Sequence, residues 1–240
     1  MSSAISSPGL RVVRRLSSRR GTQVVHIGVL VSGSGSNLQS IMDSCDRSEI
    51  DGQVSIVISN LPGVFALDRA QKRGIPTRVV SHTQYPDRES FDEELIKILK
   101  SFEIDLVALA GFMRVLTPGF LRQFPGRVMN IHPALLPSFP GLGVRQKAID
   151  YGVRFSGCTV HFVDKGVDTG PIIIQAVVPV YPDDTEDILK ERILRLEHKI
   201  YPKAIELFAQ DRLTIVGRKV FIKGLDKDEG ACIANPPLAG

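Results

Sequence analysis

Cysteine is scarce: the three in this 240-residue chain, Cys45, Cys158 and Cys232, lie far apart and make no CxxC pair. Neither a zinc site nor a disulfide framework is indicated, and a reducing compartment fits. No apolar run approaches the ~18 residues of a membrane-spanning helix, so a soluble protein with no membrane partner is expected. Internal repeats are missing as well, and low-complexity sequence is confined to the N-terminal stretch. What is present is ordinary. With 43% hydrophobic and 23% charged residues, general disorder and the collagen-like and coiled-coil classes are excluded. The length suffices for one large α/β domain or two small ones with a sizeable core.

Acidic residues are absent before Asp43, while Arg11, Arg14, Arg15, Arg19 and Arg20 share that stretch with six serines among the first twenty positions. An acid-free, Arg- and Ser-rich N-terminus without a continuous apolar segment has the texture of an organellar transit peptide rather than a secretory signal. Residues 1–21 are therefore expected to be a mitochondrial or plastid leader, the alternative being a disordered tail on a cytoplasmic protein. The same five arginines explain the net charge of +4 and the pI near 9.0. Without them 25 of the 30 Lys and Arg face 26 acids, a net of −1. A nucleic-acid partner thereby loses its main support.

From Val24 onward, short β-rich runs alternate with helical patterns, the signature of a mostly parallel sheet covered on both faces. Strands are expected at Val24–Val31, Val54–Ser59, Thr77–Val80, Asp105–Ala110 and Arg127–Ile131, mostly as the continuous apolar runs of buried parallel strands. Ser90-Phe91-Asp92-Glu93 has the form of a capping box, and Phe91, Leu95, Ile98 and Phe102 follow at helical spacing. The Pro- and Gly-rich segment 132–141 can be neither regular helix nor central strand and is expected as an ordered loop at a strand's carboxyl end. Strands at Ser156–Val163 and Ile172–Val180 then precede a long helix from about Thr185 to Gln210, and Leu213–Lys223 reads as a small hairpin around Gly217. The fold class is α/β: a mostly parallel, Rossmann-like sheet with helices on both faces, and a C-terminal part with antiparallel strands and a long helix. One domain is expected over residues 22–223, with a loose tail at 224–240.

Three segments can carry chemistry. The first strand runs into Ser32-Gly33-Ser34-Gly35-Ser36-Asn37-Leu38, a glycine turn whose backbone N–H groups and following helix N-terminus suit a phosphate. A dinucleotide fingerprint would need a third glycine where Leu38 stands and an acid where Ser59-Asn60 ends the second strand, and a Walker loop would need Gly-Lys-Ser/Thr. An isolated phosphate ester is favoured instead. In Asn130-Ile131-His132, period-two geometry puts the amide and the imidazole on one side, where both can donate to a developing oxyanion. The third segment, Asp164-Lys165-Gly166-Val167-Asp168-Thr169-Gly170-Pro171, is an acidic loop between strands, and a carboxylate delivered beside His132 would favour its imidazolium. His161, in a strand, and His198, on a helix, read as structural.

In order along the chain, Gly33-Ser34-Gly35-Ser36-Asn37-Leu38, Ala110-Gly111-Phe112-Met113-Arg114-Val115-Leu116, Asn130-Ile131-His132-Pro133 with Leu135-Leu136-Pro137-Ser138-Phe139-Pro140-Gly141, Asp168-Thr169-Gly170-Pro171 and Glu197-His198-Lys199-Ile200-Tyr201-Pro202 resemble the 10-formyltetrahydrofolate-dependent formyltransferase family, most closely its branch that formylates glycinamide ribotide in purine synthesis. The resemblance runs from Val25 to about Phe221. It implies that Gly35, Ser36 and Asn37 hold the acceptor's 5′-phosphate, with Arg195 and Glu197 on its ribotide and Glu197 accepting from the ribose hydroxyls. It places Met113, Arg114, Val115 and Leu116 around the pterin, Asp164, Val167 and Asp168 on the other side, and Arg88 near the folate's acidic tail. Asn130, His132 and Asp168 match the catalytic trio, and Leu136-Pro137 matches a cis peptide. The activity so implied moves the formyl group from N10 of the folate to the glycinamide amine through a tetrahedral intermediate stabilised by Asn130 and protonated His132, with no metal. Its participants are small molecules, and the chain is expected as a monomer or weak homodimer.

The resemblance leaves rivals. A formyltetrahydrofolate hydrolase would carry a further N-terminal domain, and a methionyl-tRNA formyltransferase a further C-terminal module; neither is expected from the short leader and tail. A non-catalytic folate or nucleotide binder is disfavoured by the intact Asn130, His132 and Asp168, and an NAD-dependent oxidoreductase by Leu38 and Asn60.

Overall fold

In a computed structural model of the chain, residues 24–225 are described. The expected leader, residues 1–21, and the tail beyond Leu225 lie outside them. In chain order the elements are β1 (Val25–Val31), α1 (Ser36–Asp46), β2 (Gly52–Ser59), α2 (Phe65–Gln71), β3 (Thr77–Val79), α3 (Arg88–Ser101), β4 (Leu106–Leu109), α4 (Pro118–Gln123), β5 (Val128–His132), α5 (Val144–Tyr151), β6 (Phe155–Phe162), β7 (Ile172–Pro179), α6 (Glu186–Ala209), β8 (Leu213–Val216) and β9 (Lys219–Ile222). The strands form one sheet in the order β3-β2-β1-β4-β5-β6-β7-β9-β8.

The first five strands pair in parallel. β6 runs antiparallel to both β5 and β7, the antiparallel pairing that the sequence leads one to expect, whereas β7 pairs with β9 in parallel. The terminal hairpin β8–β9 is not separate: β9 joins the sheet edge beside β7. Because the chain crosses to one face after β1 and to the other before β4, the order reverses between these two strands. That is the switch point at which an open α/β sheet leaves a crevice at its carboxyl ends. The turn Ser32–Gly35 and the segment Ala110–Met113 both leave strands there.

Alternation of apolar side chains fills both faces. Ile27, Val29 and Val31 pack with Leu38 and Ile41 of α1 and with Leu189, Ile193 and Ala204 of α6. Leu30, Ile58 and Leu109 face Phe91, Leu95 and Leu99 of α3 on the other side. α6 is anchored beneath the crevice by Tyr201, a fully buried residue whose hydroxyl is shared between the carbonyls of Met129 (3.0 Å) and Leu109 (3.1 Å). Thr185 caps its N-terminus by accepting from the Ile188 N–H at 3.3 Å.

One local expectation is corrected. α3 does not begin at a Ser90 cap; Asp87 is the cap, its carboxylate accepting from both the Ser90 N–H (2.7 Å) and the Ser90 hydroxyl (2.6 Å). An ionised carboxylate is the stronger acceptor for orphan N–H groups, so the helix starts one turn earlier.

Candidate active site

The crevice has an anion side, an apolar side and a polar centre. On the anion side β1 turns directly into α1. Gly35 is the residue at the N-cap, in the left-handed region with φ 72°, and a Cβ there would lie 2.6 Å from the Ala66 Cβ. Only glycine permits both the turn and this contact. The first turn of α1 has neither a side-chain cap nor an acidic residue, so no carboxylate of its own competes for its N–H groups and positive dipole end. Asn37 is buried, and its Nδ2 donates to Glu197 Oε2 at 2.7 Å across 160 positions of sequence. Burial pushes the Glu197 carboxyl above its ordinary range, against the opposing pull of the Asn37 hydrogen bond and of Arg145 and His132. Arg195 is not brought to this group. It stands exposed on α6 two positions from Glu197, about 200° around the helix. Sequence reasoning passed over Arg69, whose Nε donates to the Ser34 carbonyl at 2.9 Å while its guanidinium lies 4.5 Å from the centre of the Phe65 ring.

On the apolar side, Ser32 ties the ends of three strands together. Its hydroxyl donates to Asn60 Oδ1 (2.5 Å) and accepts from the Met113 N–H (2.9 Å). The Met113 and Val115 side chains are left 64% and 48% exposed, while Leu116 is buried and Arg114 half-buried. Arg88 is exposed at the first position of α3. Across the crevice Val167 is 51% exposed, and Asp164 spends its carboxylate on its own loop, accepting from the Gly166 N–H (3.1 Å) and the Thr169 hydroxyl (2.6 Å).

The centre is set by strand register. Asn130 and His132 lie on the same side of β5 and stand opposite His161 and Thr159 of β6. Thr159, with Gln175 of β7, pins the proline-rich loop: its Oγ1 donates to the Ala134 carbonyl (2.7 Å) and accepts from the Leu136 N–H (3.1 Å), and Gln175 Nε2 donates to the Leu136 carbonyl (2.8 Å). The Leu136-Pro137 peptide is cis. Asp168 is delivered by the β6–β7 loop in the left-handed region, φ 54°, which aspartate tolerates better than most residues. The loop is held close, since a Cβ on Gly170 would lie 1.7 Å from the Phe162 carbonyl oxygen. Arg218 of the terminal hairpin donates to the Thr169 carbonyl at 2.9 Å.

These supports bring the expected trio together. Asp168 Oδ2 lies 3.3 Å from His132 Nδ1 and accepts from the Gly141 N–H at 2.8 Å. Its Oδ1 is 3.5 Å from Asn130 Nδ2. His132 Nε2 is 2.9 Å from the Phe139 carbonyl, so an acceptor faces each ring nitrogen, and only the doubly protonated ring donates to both. His161, which sequence reasoning set aside as structural, belongs to the same cluster: its Nε2 is 3.2 Å from Asn130 Nδ2 and 3.7 Å from Asp168 Oδ1. Burial pushes the His161 imidazole below its usual range, against the pull of the Phe162 carbonyl, Asp168 and Asp164 and with the help of His132. The available signal was the alternation of polar Thr159 and His161 with apolar Cys158, Val160 and Phe162. An amide, an imidazole and a carboxylate converging at a cleft between an uncapped helix N-terminus and an apolar wall are groups that could serve acyl transfer to an anionic acceptor.

Comparison with known proteins agrees in class. The family model described as formyl transferase matches residues 25–205. The chain belongs to the formyl transferase family. Within it, the chain is 43% identical over 200 residues to phosphoribosylglycinamide formyltransferase of Escherichia coli, covering 83% of this chain and 94% of that one. It is 50% identical over 199 residues to the trifunctional purine biosynthetic protein adenosine-3 of Drosophila melanogaster, 82% of this chain but only 14% of the fly protein's length. Among solved structures it is similar to glycinamide ribonucleotide transformylase 1 of Symbiobacterium toebii, with TM-score 0.83, 49% identity and coverage of 85% and 95% of the two chains. The formyl transferase match spans β1 through most of α6 and the cleft loops between them; the terminal hairpin, whose Arg218 braces the β6–β7 loop, lies beyond it.

Proposed function

We propose that this formyl transferase moves the formyl group of 10-formyltetrahydrofolate to the primary amine of 5-phosphoribosylglycinamide, a formyl-transfer step of purine synthesis. The observation that carries the reading is the convergence of Asn130, His132 and Asp168 between the α1 turn, with Asn37 and Glu197 beside it, and the apolar wall at Met113 and Val115. The turn at Gly35, Ser36 and Asn37 receives the acceptor's phosphate, and Glu197 accepts from its ribose hydroxyls. The main chain from Met113 to Leu116 and the loop from Asp164 to Asp168 bracket the folate.

The amine nitrogen attacks the formyl carbon, and the carbonyl electron pair moves onto oxygen. Donation from Asn130 Nδ2 and from the His132 imidazolium holds that charge, while Asp168 keeps the ring oriented and opposed by a negative charge. Collapse breaks the bond to N10, and the proton lost by the amine is returned to N10 through His132 or water.

The test is the absorbance change on conversion of 10-formyl folate, followed with and without phosphoribosylglycinamide. Conversion that requires the acceptor is expected. Conversion without it would assign hydrolysis instead, and none at all a binding protein. We propose in addition that residues 1–21 carry the chain into a mitochondrion or plastid; a fluorescent fusion of residues 1–30 that stays in the cytosol would refute this.

A further inference from the structure

The tautomer of His161 is decided by its neighbours. Nδ1 lies 2.9 Å from the Phe162 carbonyl, which can only accept, so Nδ1 carries the proton. Nε2 faces Asn130 Nδ2 at 3.2 Å. A doubly protonated ring would set donor against donor there, whereas the neutral ring offers a lone pair to the amide N–H. The ring is 2% exposed, and burial favours the neutral form. The charged and titratable groups around it are Asp168 (Oδ1 at 3.7 Å from Nε2) together with His132 and Asp164. An asparagine amide has two edges of nearly equal shape, one donating and one accepting, and Asp168 Oδ1, at the 3.5 Å limit of a hydrogen bond, biases the choice between them only weakly. His161 does select, because only the NH₂ edge can satisfy a bare Nε2.

We propose that His161 is a positioning residue for formyl transfer: held as its Nδ1–H tautomer by the Phe162 carbonyl, it turns the Asn130 amide so that the N–H edge, not the C=O, is presented to the reacting carbonyl. This rests on the formyl-transfer reading above. One amide hydrogen is engaged by Nε2. The other points toward Asp168 Oδ1 over 3.5 Å, the outer limit of a hydrogen bond, and is the one a developing oxyanion can recruit. Were the amide reversed, its carbonyl would face the oxyanion and repel it. His161 thus contributes to turnover only through Asn130.

Two measurements on the full chain test this. In ¹⁵N-labelled wild-type protein, the His161 ring should show a protonated Nδ1 and an unprotonated Nε2 at neutral pH; the opposite tautomer would overturn the proposal without reference to activity. In kinetics, His161→Phe should lower kcat by about 10- to 100-fold, less than the ~10²–10³ for outright loss of an oxyanion donor, with KM for both substrates within about twofold of wild type. In an Asn130→Ala background the same change should have no further effect on kcat beyond about twofold. An equal fall in both backgrounds, or a fall in affinity with kcat unchanged, would show that His161 acts independently of the amide. If the wild-type protein transfers no formyl group, the functional reading fails, and the NMR result still decides the tautomer.

Discussion

On the anion side of the cleft, Ser32 to Asn37 are contiguous, and a single βα turn delivers their backbone N–H groups. On the catalytic side, Asn130, His132, His161 and Asp168 come from two strands and a loop, with 38 positions between the first and the last. The first arrangement is made of main chain and depends on one glycine. The second is made of side chains and depends on an antiparallel register and on one aspartate in a left-handed conformation. Main-chain sites bind by shape and fixed dipoles, so damage to them should appear mainly in affinity. Side-chain sites that meet charge only as it develops should, when damaged, lose turnover.

The largest expected effect tests the catalytic side. Asn130→Ala should lower kcat by roughly 10² to 10³ while leaving KM for both substrates near wild type. A change confined to KM would make Asn130 a binding residue. Next, Gly35→Ala forces a left-handed alanine against Ala66 and should cost about 1–3 kcal/mol of stability. Read by thermal melting and steady-state kinetics, it should also raise KM for the phosphorylated acceptor and spare KM for the folate. Equal loss for both substrates would mean that the two sides are one mechanical unit.

The smallest effect concerns the long-range strut of the anion side. Burial holds the Glu197 carboxyl above its ordinary value of 4.5, so the folded chain keeps a proton that the unfolded chain has released. Stability from this source is fully present below that value and is lost as pH rises through the raised one. Glu197→Gln removes the titration, so its melting temperature should stay more nearly level than that of the wild type over that window. Parallel curves would mean that Glu197 does not titrate there.

The parallel half of the sheet was legible because most of its strands are largely apolar and its turns are punctuated by glycine, so the expected Val54–Ser59 matches β2 closely, and Thr77–Val80 matches β3 even though Arg78 interrupts it. The α1 turn was legible for the same reason: the glycines that make it and the helix start that follows are adjacent in sequence. The short helices α4 and α5 were not drawn. Each has fewer than three turns, and α5 opens and closes on left-handed glycines within a Gly- and Pro-rich stretch, so no period could be read. Asn130, His132 and Asp168 could be picked out by type and by resemblance, but His161 could not. Its relation to Asn130 is a cross-strand pairing, and no spacing along the chain specifies which residue of β6 stands opposite which of β5. Arg195, implied by the resemblance, stands exposed on α6 about 200° around the helix from the buried Glu197.

One contact near the centre bears on selectivity between states of the same molecule. The Phe139 carbonyl, presented by a residue at φ 52°, already sits on His132 Nε2 at 2.9 Å. A neutral formyl oxygen arriving at that nitrogen is an acceptor of about the same strength, so it exchanges one carbonyl for another and gains little. An alkoxide would be a far stronger acceptor, able to displace the loop oxygen. On the proposed reading the internal competitor would set a threshold: an N–H at Nε2 would be withheld from the ground state and released to the charge that appears only as the carbon becomes tetrahedral.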